Sequence, residues 1–464
     1  MSEAAVVAVG MNLLAILPMF VAFRFIHNRH RPFLITICGS YAVFYWMRSL
    51  MLTLGLDTSA LDPLALDPRG IDAANLRLAI WSGLAMLAFV AFQDVKVRPG
   101  VAGLPNRRYD FVALRRLALY ASIGATLCFS VIVVKVGSPI AAIEAAKTEK
   151  AVAGLYLLQF GPVAAMVLCL AAAIAGKREG HRLVLRMPFL VLGLLNSLYV
   201  FAWGSRRVVV IYLAGLMLEP VFAAVGDRRA AGQSQARDLR RWAGIALIGI
   251  AVIGSALGLR VARDHVLQGR TSDAIAEASP LRSISVAMNA TVYDAYVLSV
   301  RDTPEMFEHA GAQLFINGTG GVVPRAVWPD KPTNIAPGAE FRQQYEPEVK
   351  NGWPVGAVGE WWLSFGWFGI VLGGVVTGAT YAVASQALGD LRRNPLAHAL
   401  SVGIVFQVLE LGFNVQSLVR WIGWCASVLV ALAIVARLAP PPRSWGQASG
   451  PPEETEAREP VTTS

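Results

Sequence analysis

Long apolar runs divide this chain from end to end, each approaching the 20 or so residues a helix needs to cross a hydrocarbon core. In lipid every backbone amide needs an internal partner, so such runs can settle only as helices. Of 464 residues, 55% are hydrophobic and only 16% are charged, against about 25% charged in a soluble domain. The sequence predicts an all-α polytopic membrane protein, not the two or three soluble domains that length alone would suggest.

The runs predict about 11 transmembrane helices, over residues 4–23, 33–54, 78–92, 117–134, 155–175, 187–203, 208–225, 243–259, 362–387, 398–411 and 421–435. Basic clusters fall on alternate connections: Arg24 to Arg31, Arg107 to Arg116, Lys177 to Arg186, Arg228 to Arg241, and Arg392 with Arg393. That is the positive-inside pattern, which places the N-terminus outside and the C-terminus in the cytoplasm. The net charge of +10 therefore belongs to topology and not to nucleic-acid binding. The first run carries its positive charges after the apolar core, so it reads as a span and not as a cleaved signal. Cys38, Cys128, Cys169 and Cys425 all lie in apolar runs and read as small hydrophobes.

The expected organisation is eight spans over residues 1–260, a large external loop over 261–360, three spans over 361–438, and a disordered cytoplasmic tail over 439–464. A loop of about a hundred residues is long enough to be a functional segment. Within it, residues 281–300 form a helical candidate with Ile284, Ala287, Val292 and Tyr296 as packing positions. Gly369, Gly373, Gly374 and Gly378 give the following span two small-xxx-small pairs suited to close helix contact.

Residues 320–362 are too rich in Pro and Gly for one long helix and too dense in Trp and charge for an idle linker. Pro324, Pro329, Pro332 and Pro337 fix the backbone around Arg325, Trp328, Asp330 and Lys331. Gly359, Glu360, Trp361 and Trp362 then open onto the ninth span. Cations on the outer side run against the positive-inside rule, and Arg48, Arg206, Arg207, Arg325, Lys331, Arg342 and Arg420 all fall there. One such arginine alone reads as snorkelling or a surface pair; a cluster suits an anionic lipid head such as a pyrophosphate, because a guanidinium matches phosphate oxygens in pairs. Glu360 at the loop boundary is either a base candidate or a helix-terminal charge. The tryptophans are either an interfacial belt or sugar-stacking faces. No P-loop, dinucleotide fingerprint, zinc-protease box or Cys/His metal box occurs.

Gly204-Ser205-Arg206-Arg207, then PRAVWPDKP around Arg325, then GEWWLSFGWFGIVLGG from Gly359 form an ordered set of motifs. In that order they resemble the bacterial oligosaccharide repeat-unit polymerases, the O-antigen polymerase (Wzy-type) group, over about residues 190–378. The resemblance implies a GT-C-like glycosyltransferase of polysaccharide biosynthesis in the cell inner membrane. It would move a glycan from undecaprenyl pyrophosphate onto the terminal sugar of another lipid-linked unit. Its implied partners are that lipid-linked oligosaccharide, membrane lipids and a chain-length regulator protein, with no cofactor and no metal. In that reading Glu360, Arg325 and Arg207 are catalytic, while Arg206, Lys331, Trp328, Arg342, Arg420 and Arg48 bind pyrophosphate or glycan. An O-antigen ligase, centred on an external histidine such as His265 or His309, and a non-enzymatic flippase stay open as alternatives.

Overall fold

A computed structural model describes residues 3–54, 68–95, 109–138, 158, 160–202, 207–226, 290–313, 341–348, 353 and 355–411. These form α1 (Glu3–Phe25), α2 (Arg31–Tyr41), a π-helical turn (Ala42–Trp46), α3 (Met47–Thr53), α4 (Pro68–Phe92), α5 (Phe111–Val136) and α6 (Phe160–Arg178). Then come α7 (Leu183–Ala202), α8 (Arg207–Gly226), α9 (Ala290–Asp302), α10 (Gly356–Leu388) and α11 (Pro395–Leu411). Among the described residues the protein is all-α. Six helical stretches there are long and apolar enough to cross a membrane, and three shorter apolar helices accompany them. This is a multi-pass architecture. The eighth and eleventh expected spans, the proline-rich loop, the Gly204-Ser205-Arg206 turn and the tail lie outside the described residues.

Two helix groups share one core. α4 packs against α10, α1 and α9, while α6 packs against α5, α7 and α11. α11 joins the groups by also touching α2 and α10. α6 is buried at every position from Val163 to Ala175, as expected for a helix that is apolar all round. By contrast α5 leaves Leu119, Ile123, Leu127 and Val134 exposed, and α7 leaves Val184, Val191 and Leu195 exposed. On a membrane protein such faces meet lipid.

Helix starts differ from the expectation in two places. Residues 68–77 form the first turns of α4, not a loop, because Pro68 supplies the pre-set φ that favours a helix start. Arg115 and Arg116 likewise sit inside α5, whose start is capped by Asp110 accepting from the Ala113 amide at 2.7 Å.

The largest departure is in α10. Gly366 has φ 58° and ψ −133°, a backbone state open to glycine and strained for other residues. The break folds residues 356–365 back against residues 367–388. A Cβ placed on Gly369 would lie 1.9 Å from the Trp361 carbonyl oxygen, and one on Gly373 would lie 2.5 Å from the Trp361 indole. Gly374 and Gly378 face the other way, where Cβ atoms would meet the Trp81 carbonyl at 2.9 Å and the Ala85 carbonyl at 2.0 Å. The small-residue pairs thus serve two neighbours, the folded-back segment and α4.

The connections sort into two ends. One holds the α1–α2, α6–α7 and α10–α11 turns with Arg29, Arg31, Arg182, Arg392 and Arg393; we call it the basic end. The other holds α9, the start of α4 and the folded-back segment.

Candidate functional site at the α9 end

α9 is the centre of this end. Every side chain from Val292 to Val300 is buried, including Val292 and Tyr296, two of the four expected packing positions; Ile284 and Ala287 lie outside the described residues. The helix is not laid over the bundle but inserted between α3, α4 and the first segment of α10.

Polar side chains hold it there. Arg48 donates from Nε to Asp294 Oδ1 at 2.9 Å and from Nη2 to Oδ2 at 2.8 Å. Both residues are inaccessible, at 4% and 0% exposure, so the paired geometry matters: one partner without the other would be a bare charge in a dry interior. The Ser49 and Tyr293 hydroxyls both donate to Asn75 Oδ1, at 2.9 and 2.8 Å. Tyr296 donates to the Ala74 carbonyl at 2.9 Å and Trp362 to the Ser299 carbonyl at 3.1 Å. The π-turn at Ala42–Trp46 precedes Arg48 by one residue, and such turns recur where a helix must re-aim a side chain.

The folded-back segment is the second part of the site. Its end is closed by the chain that leaves α9: the amides of Ala310 and Gly311 donate to the carbonyls of Leu363 and Ser364, both at 2.9 Å. His309 fills the notch at the break. Its Nε2 sits 2.8 Å from where a Gly366 Cβ would be, its ring meets Trp362 edge-on at 5.5 Å, and its buried Nδ1 has no hydrogen-bond partner among the described residues. Glu360 lies on this segment and is half-buried, while its neighbours Trp361 and Trp362 are buried.

Arg77 of α4 stands against the same break. Its guanidinium carbon lies 4.1 Å from the Trp362 ring centroid and 4.7 Å from that of Trp367. Trp367 is the exposed member, at 47%. Beyond the rings lies a smaller cluster of Ala295, Leu298, Phe341, Trp353, Val355 and Leu363. Arg342 stacks on Trp353 there at 5.3 Å and bonds Glu346 at 2.7 Å. Tyr345 donates to Asp302; burial first, and this carboxylate second, push its phenol pKa above the usual range.

The sequence-based site residues divide accordingly. Arg48 and Glu360 both border α9, Arg48 through Asp294 and Glu360 through the segment bonded to Ser299. Arg48 is occupied by a buried carboxylate and does not face outward as an open phosphate ligand. Arg342 belongs to the neighbouring cluster. Arg207 is the first residue of α8; its side chain, and Arg206, Arg325, Trp328, Lys331 and Arg420 altogether, fall outside the described residues. Trp353, Trp361 and Trp362 are packing residues, not a belt at the lipid surface. Arg77 is a site residue that motif reading did not single out, and His309 entered there only through the ligase alternative. A charge inside an apolar helix is a signal in its own right, and Asp294 in the helical candidate carried it.

Comparison with protein-family models, with curated proteins and with solved structures found no match for this chain.

Proposed function

We propose that the protein is a membrane glycosyltransferase that polymerises lipid-linked oligosaccharide repeat units at the outer face of the cell inner membrane. The observation that carries this reading is the placement of Glu360: half-exposed, on a short segment folded back at the α9 end and held by buried tryptophans. The ordered motifs of the sequence supply the substrate class. The charge distribution supplies the sidedness, with the basic end cytoplasmic and the α9 end outside.

In this reading an acceptor sugar hydroxyl attacks the anomeric carbon of the donor glycan. The bond from that carbon to the pyrophosphate oxygen breaks, and undecaprenyl pyrophosphate leaves as an anion. Glu360 takes the proton of the attacking hydroxyl. Arg207, Arg325, Arg206 and Lys331 neutralise the leaving pyrophosphate as its charge develops.

The test is a strain lacking the native copy, complemented with Glu360→Gln or Arg325→Ala. Complementation with the unaltered gene restores long polymer, whereas each variant at equal protein level leaves mostly single repeat units. Full-length ladders from both variants would sink the assignment.

His309 favours a second reading, transfer of the finished glycan to a different acceptor by a ligase. Its imidazole sits at the break, with no partner for its buried Nδ1 among the described residues. Loss of glycan attachment with normal chain length in a His309→Ala strain would select it.

A further inference from the structure

Arg77 is an unusual cation for a membrane protein. It sits in the third turn of α4, its guanidinium faces two indoles, and it makes no ion pair with any described residue. Nη1 donates to the Ala73 carbonyl at 2.9 Å, one turn back in its own helix. Among the described residues neither Nε, which is buried, nor Nη2 has a hydrogen-bond partner. Among the described residues Asp294 holds Arg48, Asp302 holds Arg301 at 2.6 Å, and no carboxylate pairs directly with Arg77. Ring faces stabilise a cation by their quadrupole without neutralising it. The guanidinium therefore keeps donors that no described carboxylate takes up.

The position adds to the chemistry. Trp362 and Trp367 lie on either side of Gly366, so the guanidinium spans the fold-back that carries Glu360. Trp362 is 3% exposed and Trp367 is 47% exposed, so the stack runs from the interior to the surface. A guanidinium seated 4.1 Å over one indole and 4.7 Å over another is held in place by both rings, and its planar N–H fork suits paired bonds to phosphate oxygens.

We propose that Arg77 is a further anion-binding residue of this site, with Trp362 and Trp367 flanking it and a phosphate-bearing group as its ligand. The ligand's identity as a lipid pyrophosphate rests on the function proposed above; the anion site itself rests on Arg77. An anion there takes up the donors that Arg77 leaves open among the described residues and lies beside the half-exposed Glu360 segment.

The experiment uses the full chain in lipid nanodiscs, titrated by calorimetry with farnesyl pyrophosphate, farnesol and inorganic pyrophosphate. Unaltered protein should bind farnesyl pyrophosphate at least about 10-fold more tightly than farnesol, the scale of one charged hydrogen-bonding contact. Arg77→Gln should cut that preference several-fold while leaving farnesol binding unchanged, which a merely structural role would not do. Where Arg77→Gln does not accumulate, Arg77→Lys keeps the charge but loses the planar fork, and should weaken farnesyl pyrophosphate binding several-fold. Inorganic pyrophosphate separates the sources: competition by it at similar concentration marks a soluble phosphate site, and its failure to compete marks a lipid head, with the Arg77 dependence expected in both. A folded variant of either kind that keeps the full preference overturns the proposal. Loss of the preference in Arg77→Gln, alongside normal polymer in the deletion strain, would leave the anion site standing and overturn only the polymerase reading.

Discussion

The two ends of the bundle each bury an arginine against a carboxylate, and they treat the surroundings differently. At the basic end Arg178 donates to Glu219 from Nε at 3.0 Å and from Nη2 at 2.6 Å, and from Nη1 to the Leu391 carbonyl at 3.1 Å. His398 completes this knot, with Nε2 on the Gly215 carbonyl at 3.0 Å and Nδ1 3.2 Å from both Glu219 and Arg178. One cluster thereby ties α6, α8, α11 and the α10–α11 turn. At the α9 end Arg48 and Asp294 close on each other, while Arg77 rests on two indoles and pairs with no carboxylate among the described residues. Buried polar atoms without a partner among the described residues occur at both ends, on Arg31, Arg186 and Gln386 at one and on Arg77, Asp72 and His309 at the other, so the contrast lies in how each end treats its cation. The basic end ties its arginine to several helices; the α9 end leaves one over aromatic faces.

The contrast can be broken by substitution. Asp294→Ala strands Arg48 in a dry interior and should lower stability by about 3–5 kcal/mol, read as lost thermal stability of the detergent-solubilised protein. Replacing both members with apolar residues should recover much of that loss; failure to recover would mean that the pair does more than neutralise itself. Gly366→Ala forces a side chain into the break and onto His309, with an expected cost of about 1–3 kcal/mol. His309→Ala in the same chain should return part of it if the clash and not the backbone dominates.

The basic end predicts a pH effect. His30 donates to or accepts from Ser385 Oγ at 2.7 Å. Burial first, then Arg29 and His27, push its pKa from 6.5 down to about 4, against the opposing pull of Asp94 and Asp390. The unfolded chain takes up this proton before the folded one does, so stability should fall as pH drops from about 6.5 toward 4. A His30→Gln protein should show a shallower decline in melting temperature over that window. The smallest effect belongs to Arg342→Ala. Its pair with Glu346 is partly exposed, at 21% and 33%, and such i,i+4 pairs contribute about 0.3–0.5 kcal/mol.

The spans were legible because lipid imposes one solution on an apolar run of sufficient length. The inserted helix was legible in part, since Val292 and Tyr296 share a face that only burial explains. Other features left no local trace. Arg48 and Asp294 are 246 residues apart, and no pattern in either segment announces the other. Gly366 lies among glycines that serve helix packing, so composition hides the one that breaks the helix. Arg77 read as a loop residue because charge near a span end resembles a connection, although Asp67-Pro68 ahead of it was a helix-start signal.

The break at Gly366 also settles a question of length. As one straight rod, the 33 residues of α10 would measure about 50 Å at 1.5 Å per residue, far beyond a hydrocarbon slab of about 30 Å. The portion after Gly366 is about two-thirds of that, close to a slab's thickness. The excess is neither tilted away nor pushed into water. It is turned back into the bundle, which carries an acidic residue against the long helix on a segment that never has to cross.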